Sequence, residues 1–551
     1  MAATRPRPRR APAAAQRQLA ILLHAHLPDG RRPDQPASLE ETWFFEALTE
    51  SYLPLVRMLD RLAADRIPAR FTLSLSPTLI GMLADAALRE RYRRRLAATA
   101  ELAARDVQAS AGRQREVADW HARFFRETGE LFDDRCRGDV LRVLAEFHRA
   151  GLIELATTAA THAFLPAHQA HPPTVRAQVG VGLDTFAGVF GFRPAFFWLP
   201  ECGYYPGLEA LLGACGVRVF GLESHGVTQA EPPPPAGVRA PVRCPGGQLA
   251  LGRDSEISRR VWSATEGYPG HPAYREFHRD RIHSLEAARV TGWPGDGAHR
   301  LPAGLKYWRV TGPGLDKDWY DAPAAAARAR LDAQDFVTRL AAAPETAGVW
   351  FAPFDAELFG HWWFEGPVWL EEVFRVLARE STVAPVTATA AADGGAAATA
   401  VPAASSWGQA GDNSYWVNRE TAWLYPQLHA AARRLEALLV KWGGDAPVAG
   451  SGRNATMASR PLGEGRDLEG RALRQAARTL LLAQASDWAF LIRAGTAADA
   501  AVAGVSGLLE RFAGLCAGLE TGAVDATALR RCEQTDLAFP DLDLKWFESS
   551  G

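Results

Sequence analysis

The sequence lacks the charge imbalance and the cysteine pattern that would assign it to a specialised class at once. Its formal net charge is only -2, which gives no electrostatic footprint for nucleic acid or an anionic membrane. Its six cysteines are widely scattered among 551 residues and include no CxxC pair. In a chain of this length they predict buried free thiols in a reducing compartment, so we expect a cytoplasmic protein.

Long apolar runs and an export signal are also missing. No run of about 18 apolar residues occurs, so we expect no segment that spans a membrane. The first 17 residues contain Arg9-Arg10, which could begin an export signal, but Ala and Pro follow and then Gln16, instead of an apolar core. We expect a disordered tail over 1–17 and a chain that is a monomer or a weak homo-oligomer.

Tryptophan, by contrast, is abundant. The chain is 47% hydrophobic and 23% charged, an ordinary globular composition that at this length allows a large catalytic domain and a smaller partner domain. Seventeen tryptophans are many for this length. Some can lie in a core, but the wide apolar ring also matches the C–H face of a sugar. The composition therefore suggests two roles for the tryptophans, packing in the core and carbohydrate binding.

Short apolar runs alternate with helical patterns through the first two thirds of the chain. Such alternation is typical of an α/β protein with a parallel sheet, whose chemistry lies at the carboxyl ends of the strands. The most unusual polar residues follow these runs, which predicts one composite site. The predicted strands are Leu19–Leu23, Phe71–Leu75, Ile153–Ala156, Ala195–Leu199, Val217–Phe220 and Gly348–Ala352, and the helices include Trp43–Leu62 and Leu141–Ala150.

The character of the sequence changes after residue 380. We predict a catalytic domain over 18–380, a loose connector rich in Ala, Thr and Gly over 381–405, and a helical domain over 406–551. A polar, glycine-rich break at Gly443–Arg466 is expected to be a flexible insertion. Apolar residues at helical spacing indicate the helices of this domain, which are predicted at Glu420–Trp442, Gly470–Trp488 and Ala498–Leu519.

Two carboxylates follow predicted strands directly. Glu201 lies in a Pro-Glu-Cys-Gly turn, and Asp355 opens a segment that carries two further carboxylates, His361 and several aromatic residues. A carboxylate at a strand end is unfavourable to bury unless it is paired or used. Aromatic surroundings would raise the pKa of Asp355, as a general acid needs. The alternatives are a surface turn for Glu201 and an aromatic core edge for Asp355.

Three histidines also follow predicted strands. His24 and His26 alternate, so on an extended chain both imidazoles face the same side, and His162 follows a third strand. With Asp355 they have the ligand types of a metal site. They could equally bind sugar hydroxyls, or be structural.

Further candidates lie in loops and near the domain junction. Arg253, Trp262 and Gly270 belong to a loop that could wall a cleft or be ordinary surface. Trp407 and Trp416 stand where the connector enters the helical domain. Isolated tryptophans more often pack in a core than bind a ligand. Asp487 is predicted at the end of a helix.

Taken together, five blocks resemble glycoside hydrolase family 57, and more narrowly its 1,4-α-glucan branching enzymes. The blocks occur in the family's order, and the resemblance covers roughly 18–380 and 405–545. Each block alone is weakly specific, but their joint occurrence is highly specific. They are His24-Ala-His26-Leu-Pro28, Thr157-Thr-Ala-Ala-Thr-His162, Trp198-Leu-Pro-Glu201-Cys-Gly-Tyr204, Asp355-Ala-Glu-Leu-Phe-Gly-His-Trp-Trp363 and Ser406-Trp407-Gly408.

The resemblance implies a distorted (β/α)7 barrel with a C-terminal all-helical domain, a retaining reaction on α-1,4-glucan such as amylose or glycogen, and no metal or cofactor. Glu201 would be the nucleophile and Asp355 the general acid/base. The histidines would line a glucose subsite rather than hold a metal. The residues that it implies for substrate binding are His24, His26, His162, Arg253, Trp262, Gly270, His361, Trp407, Trp416 and Asp487.

One departure from the family pattern keeps other activities open. Branching enzymes of the family carry a tyrosine on a mobile loop that resembles Ser224–Pro241, whereas this chain has four consecutive prolines there and no tyrosine between Glu223 and Trp262. An α-amylase or 4-α-glucanotransferase on the same scaffold is therefore the first alternative. A metal-dependent deacetylase or mannosidase and a non-catalytic glucan-binding protein are the others.

Overall fold

A computed structural model describes residues 17–31, 38–286, 290, 293–294, 300–312, 316–343, 348–380, 382–395, 397–443 and 464–548. Its centre is one twisted sheet whose seven parallel strands run in the spatial order β7-β5-β4-β3-β2-β1-β8. The described strands are β1 Arg17–Ala25, β2 Phe71–Leu75, β3 Ile153–Thr158, β4 Phe196–Trp198, β5 Val219–Leu222, β6 Val242–Arg243, β7 Leu249–Gly252, β8 Val349–Asp355, β9 Val383–Pro385 and β10 Ala398–Thr399.

Helices cover the outer face of the sheet and form a separate bundle at the C-terminal end. They are α1 Leu39–Ala47, α2 Leu53–Ala64, α3 Pro77–Ala84, α4 Ala86–Ala109, α5 Gly112–Glu130, α6 Val140–Arg149, α7 Pro172–Phe190, α8 Leu208–Ala214, α9 Ser224–Thr228, α10 Ser255–Trp262, α11 Ala322–Ala342, α12 Gly366–Arg379, α13 Ala388–Gly394, α14 Leu424–Gly443, α15 Glu464–Ala483, α16 Ser486–Ala494, α17 Ala498–Thr521 and α18 Ala526–Thr535.

The two outer parallel strands, β7 and β8, meet and close the sheet into a barrel. The closure is short: Arg253, just after β7, forms a parallel bridge with Phe351 of β8. The Asp254 N–H donates to the Phe351 carbonyl at 2.8 Å, while the Arg253 N–H donates back to Leu222 of β5. Seven strands joined by one such bridge make the distorted (β/α)7 barrel that the family resemblance implied.

The six predicted strands and both predicted barrel helices are confirmed, with shifted ends. The helix predicted over Trp43–Leu62 is α1 and α2, joined by a π-helical turn at Leu48–Tyr52. The strand β7, Leu249–Gly252, was not predicted. All six cysteines are buried and unpaired, as expected.

The segment 381–405 is not a loose connector. It contributes β9, which pairs with β1, then α13, and then β10, which pairs with β6. Its small side chains hid these elements because the strands are held by backbone pairing and α13 buries only alanines, Ala388, Ala391 and Ala392. The segment therefore belongs to the sheet layer. The expected flexible insertion lies mostly outside the described residues, as does the N-terminal tail, and the domain bounds stay predictions.

The C-terminal helices pack around leucines, alanines and Phe512. The pattern predicted over Gly470–Trp488 is two helices, because α15 ends at Ala483 and α16 starts at Ser486. Asp487 therefore lies in the first turn of α16, not at the C-terminal end of the preceding helix. By length and composition α17 could also cross a membrane, at a mean hydropathy of 1.3. Its buried face packs in the bundle, and the absence of membrane contact stays a prediction.

A glycine fixes the loop that follows β8. Gly360 has φ +122°, and a Cβ placed there would lie 1.7 Å from the Glu50 carbonyl oxygen in the π-helical turn. The approach brings the loop after Asp355 against Leu48–Tyr52. An alanine would require both an unfavourable backbone conformation and a displaced main chain.

We therefore expect Gly360→Ala to destabilise the protein by at least about 2 kcal/mol. Gly188→Ala is the matched control, because Gly188 lies in α7 and a Cβ there meets nothing within 4 Å. That variant should be neutral or more stable by about 0.5–1 kcal/mol. Thermal unfolding of both variants measures the difference, and a Gly360→Ala protein that melts with the parent would refute the close approach.

Candidate active site

The carboxyl ends of neighbouring strands bring the predicted residues together. His24 near the end of β1 is in register with Asp355 at the end of β8. Glu201 follows β4 in a 3-10 turn, and His162 follows β3, which pairs with β4. Parallel strands place their carboxyl ends at one barrel face, which is where ligand sites of such folds form. The sequence-predicted site therefore assembles at the barrel mouth.

Glu201 is held by donors from two parts of the chain. The Trp407 indole N–H donates to its Oε2 at 2.9 Å, and the Ser486 hydroxyl donates to its Oε1 at 3.0 Å. The backbone N–H of Trp407 also donates to the Glu201 carbonyl. Glu201 has φ +58° and Cys202 φ +53°, a left-handed conformation that non-glycine residues rarely adopt. The turn is thus fixed in a sparsely populated conformation that aims the carboxylate.

A directed chain of hydrogen bonds ends on that carboxylate. Ser74 Oγ contacts His24 Nδ1 at 3.3 Å, His24 Nε2 contacts His162 Nε2 at 2.9 Å, and His162 Nδ1 contacts Ser486 Oγ at 3.0 Å. The Ser486 proton goes to Glu201, which as a carboxylate only accepts. The other donors are then determined: His162 carries its proton on Nδ1, His24 carries its proton on Nε2, and the Ser74 hydroxyl donates to His24.

His24 and His162 are both neutral in this hydrogen-bond chain. Burial lowers the pKa of His24 and of His162 well below the usual value, and the nearby His26 charge acts in the same direction. Their four ring nitrogens are used by each other and by two serines, so they do not converge on a point that could hold a metal ion. Across the described residues, no group of three or more His, Cys, Asp or Glu has metal-binding geometry.

His26 behaves differently because a carboxylate faces it. Its Nε2 lies 3.2 Å from Oδ2 of Asp487, and its ring stacks on His162 with centroids 4.1 Å apart. Burial lowers the pKa of His26, but Asp487 and the more distant Glu357 and Glu201 more than offset this and raise it overall. Asp487 comes from α16, so the helical region supplies both a donor to Glu201 and the counterion of His26.

Asp355 lies near the Arg253 cation and the Trp262 indole. Trp262 hydrogen-bonds to it while remaining 53% exposed, and the Arg253 charge acts on it. Arg253 also forms an ion pair with Glu223 at 2.9 Å, and its guanidinium lies 5.8 Å from the Trp407 ring. Arg253 therefore connects the surroundings of Asp355 with those of Glu201.

The two candidate catalytic carboxyls titrate near neutrality. Burial raises the pKa of Glu201 to about 7, and the Asp355 charge adds to the rise. Burial likewise raises the pKa of Asp355 to about 6, although the Arg253 cation opposes it. The pKa of Glu201 is the higher of the two, whereas a double displacement requires Glu201 ionised and Asp355 protonated. The hydrogen bonds from Trp407 and Ser486 act toward that state, because both lower the pKa of Glu201.

Two further residues complete the site and were missed as functional by sequence reasoning. Glu357 accepts hydrogen bonds from the Tyr52 hydroxyl and, at 3.2 Å, from the His26 N–H, and burial raises its pKa to about 7. Ser486 is the other. The sequence offered two signals for these residues: Glu357 comes two residues after Asp355, and Ser486 is next to Asp487. Nothing in the sequence places Tyr52 there.

Some polar atoms at this face have no partner among the described residues. They include Nδ1 of His26 and Nε of Arg253, both buried. Buried donors and acceptors are almost always satisfied, so each such atom needs an explanation. Hydroxyl groups of a bound sugar would satisfy both.

Three predicted binding residues lie apart from this cluster. His361 is bound through Nδ1 to Glu50 at 2.8 Å and lies edge-on to Phe277. Trp416 is only 2% exposed and stacks on Phe164, which suits shaping the groove better than direct contact, and its part in binding stays a prediction. Gly270 lies in a 3-10 turn where a Cβ would lie 1.8 Å from the Ala264 carbonyl oxygen, which gives it a packing role.

Comparison with known proteins identifies the scaffold. The sequence model of glycosyl hydrolase family 57 matches residues 20–393, and a second model, for the C-terminal domain of 1,4-α-glucan branching enzymes, matches residues 453–547. The first match covers more than half of the chain. The chain belongs to glycosyl hydrolase family 57.

Two curated proteins are similar over most of this chain. The 1,4-α-glucan branching enzyme of Thermococcus kodakarensis is 30% identical over 524 residues, which cover 87% of this chain and 70% of that protein. A probable 1,4-α-glucan branching enzyme of Mycobacterium tuberculosis is also 30% identical, over 87% of this chain and 88% of its own length.

Several solved structures superpose closely on this chain. The α-amylase AmyC of Thermotoga maritima has a TM-score of 0.86 at 33% identity, with 97% of this chain and 100% of that chain covered. The branching enzymes of Thermococcus kodakaraensis and Pyrococcus horikoshii have TM-scores of 0.83 and 0.82, each at 28% identity and 97% coverage of both chains. The barrel with its helical region is thus common to an α-amylase and to branching enzymes.

The raised pKa of Glu201 predicts how its neutralisation changes stability with pH. A carboxyl whose pKa is raised from 4.5 to about 7 on folding stabilises the folded state below pH 4.5, and this contribution is lost as the pH rises to about 7. Glu201→Gln should therefore be more stable than the parent above pH 7, by up to roughly 3 kcal/mol, and equal to it near pH 4. The amide can be accommodated: it accepts from Trp407, donates to Ser486, and reverses the proton order along the hydrogen-bond chain.

Melting temperatures of the two proteins across pH 4 to 9 give the measurement. Glu256→Gln removes the same charge at a side chain that is 80% exposed, and it serves as the control. A stability difference that is constant with pH, or that grows toward acid, would contradict the assignment.

Proposed function

We propose that this chain is a 1,4-α-glucan branching enzyme, which cleaves an α-1,4-glucan and joins the released segment to a glucan 6-hydroxyl. The observation that carries the proposal is the pair Glu201 and Asp355 at one barrel mouth, where Glu201 follows β4 and Asp355 ends β8. The family membership and the two similar branching enzymes support the substrate class. Six unpaired thiols suit a reducing compartment, so we place the enzyme in the cytoplasm. Its substrate there would be a glycogen-type polymer.

The proposed reaction is a double displacement with two carboxyls about 5–5.5 Å apart. Asp355 donates its proton to the glycosidic oxygen of the leaving chain, while Glu201 attacks the anomeric carbon. The bond to the leaving oxygen breaks and an ester bond between Glu201 and the sugar forms. Asp355, now ionised, takes the proton of an acceptor hydroxyl, whose oxygen then attacks the anomeric carbon and releases Glu201.

The surroundings of each carboxyl fit its role. Trp407 and Ser486 donate to both oxygens of Glu201, which favours the ionised form that a nucleophile needs. Burial keeps Asp355 protonated to a higher pH than usual, as a general acid requires. We propose that His26 and Arg253, with their unpartnered buried nitrogens, hold the sugar in the reacting subsite.

An α-amylase is the second candidate, and a specific observation favours it. The loop that resembles the tyrosine-bearing loop of branching enzymes has no tyrosine here. It is also anchored to the sheet, since Glu231 and Val401 exchange two backbone hydrogen bonds at 2.9 Å and Ala403 donates to Gly226. A fixed loop without the tyrosine would shield the intermediate from water less well, and transfer to water is hydrolysis.

Products from amylose distinguish the two activities. We expect new α-1,6 anomeric proton signals in the NMR spectrum after incubation, with few new reducing ends. Short linear oligosaccharides and reducing ends without α-1,6 signals would overturn the branching proposal and support the amylase.

Removing either carboxylate should abolish most turnover on any glucan. Glu201→Gln and Asp355→Asn should each lower kcat by at least about 10²-fold, measured as amylose consumption. With azide, Glu201→Ala should form a glycosyl azide, because azide replaces the missing nucleophile. Glu256→Gln is the control with near-parental activity. Near-parental turnover in either carboxamide variant would refute the assigned roles.

A further inference from the structure

Trp362 is an exposed aromatic residue that the site described above does not use. It is 55% exposed, and Trp262, which contacts Asp355, is 53% exposed. Trp423, at 36%, is the third exposed tryptophan of the described chain. An exposed Trp262 is explained by its place beside the catalytic acid, whereas Trp362 has no such explanation within the site.

The Trp362 ring is held rigidly from behind. It stacks on Phe277 with centroids 4.5 Å apart and an interplanar angle of 24°. Phe277 is supported in turn by His361 edge-on at 4.9 Å and by the Lys306 ammonium 5.0 Å above its ring. His361 is anchored on Glu50. With one face covered and more than half of its surface exposed, the ring presents its other face to solvent.

The backbone connects this ring to the candidate active site. The Glu357 carbonyl accepts from the N–H groups of both His361 and Trp362, at 3.2 and 3.0 Å. The carboxyl of the same Glu357 contacts His26 and Tyr52. Trp362 is therefore one turn of chain from a residue that lines the site, on the loop that begins at Asp355.

We propose that Trp362, backed by Phe277, is a stacking platform for a glucosyl unit of an α-glucan chain that extends out of the reacting subsite. The inference rests on the proposed function for its substrate class. An aromatic ring fixed before binding loses little side-chain entropy when a sugar stacks on it, so a supported ring is better suited to this role than a mobile one. The nearby imidazoles and ammonium suit a ligand that carries both C–H faces and hydroxyls.

The test measures binding without turnover. In the Glu201→Gln background, maltoheptaose is titrated by calorimetry into proteins with Trp362→Ala, Trp362→Phe or Trp423→Ala. We expect Trp362→Ala to weaken binding roughly three- to tenfold, Trp362→Phe to retain most of the affinity, and Trp423→Ala to match the background protein. Maltose, which can occupy the reacting subsite alone, should lose less affinity than maltoheptaose.

Equal maltoheptaose affinity in Trp362→Ala and its background would overturn the proposal, as would an equal loss in Trp423→Ala. So would a change of oligomeric state on size-exclusion chromatography without weaker binding, which would assign the ring to contact with a second copy. The branching proposal is judged separately. If amylose yields only linear products while Trp362→Ala binds glucan more weakly, branching fails and the platform stands.

Discussion

The hydrogen-bond chain from Ser74 to Glu201 is the constraint on which the site depends. It passes through β2, β1, the turn after β3 and the first turn of α16, and it ends on a carboxylate after β4. When Glu201 is ionised, each member donates once in the same direction, because the last acceptor has no proton to give. A displacement of α16 would therefore leave His162 Nδ1 and Glu201 Oε1 without the Ser486 hydroxyl in a buried place, where unpaired polar groups are costly.

The loop after β8 is held by charges as well as by packing. Arg275, which is 4% exposed, lies 2.7 Å from Glu50, and Glu50 in turn binds His361. These contacts, with burial opposing them, hold the pKa of Glu50 at about 2. A buried ion pair contributes little net stability, but it defines one geometry, since losing either partner strands the other charge. The Gly360 contact with the π-helical turn acts on the same loop. Glu357 and Trp362 lie in this loop, which begins where β8 ends at Asp355.

The sequence predicted those parts of the site that follow long, apolar strands. The run before Asp355 and the run before Glu201 each mark a buried strand whose end must lie at one sheet edge, so meeting of the two carboxylates could be expected. The role of Ser486 could not, because it depends on how α16 docks 285 positions further along the chain. Local patterns carry no information about such docking.

Short elements were missed for a different physical reason. The strands β9 and β10 have three and two residues, are held by backbone pairing with β1 and β6, and lack the longer apolar runs that surround β4 and β5. Barrel closure through Arg253 and Phe351 is the extreme case, since a single bridge leaves no periodic signal. Burial of Trp416 was likewise unpredictable, because its stacking partner Phe164 comes from the turn after β3.

Because the anchored loop over Ser224–Pro241 has no tyrosine, other residues must keep water away from the proposed covalent intermediate. Its arginine, Arg239, pairs with Asp254 at 3.1 Å and lies over the Trp350 ring, so the loop is tied to β8 and to the turn after β7. In the proposed reaction, an intermediate on Glu201 would be attacked from the side where Asp355 can take a proton. On that side the exposed Trp262 is bonded to Asp355 itself. A sugar stacked there would displace water from the carboxylate that must activate the acceptor, so acceptor binding would itself exclude the competing nucleophile.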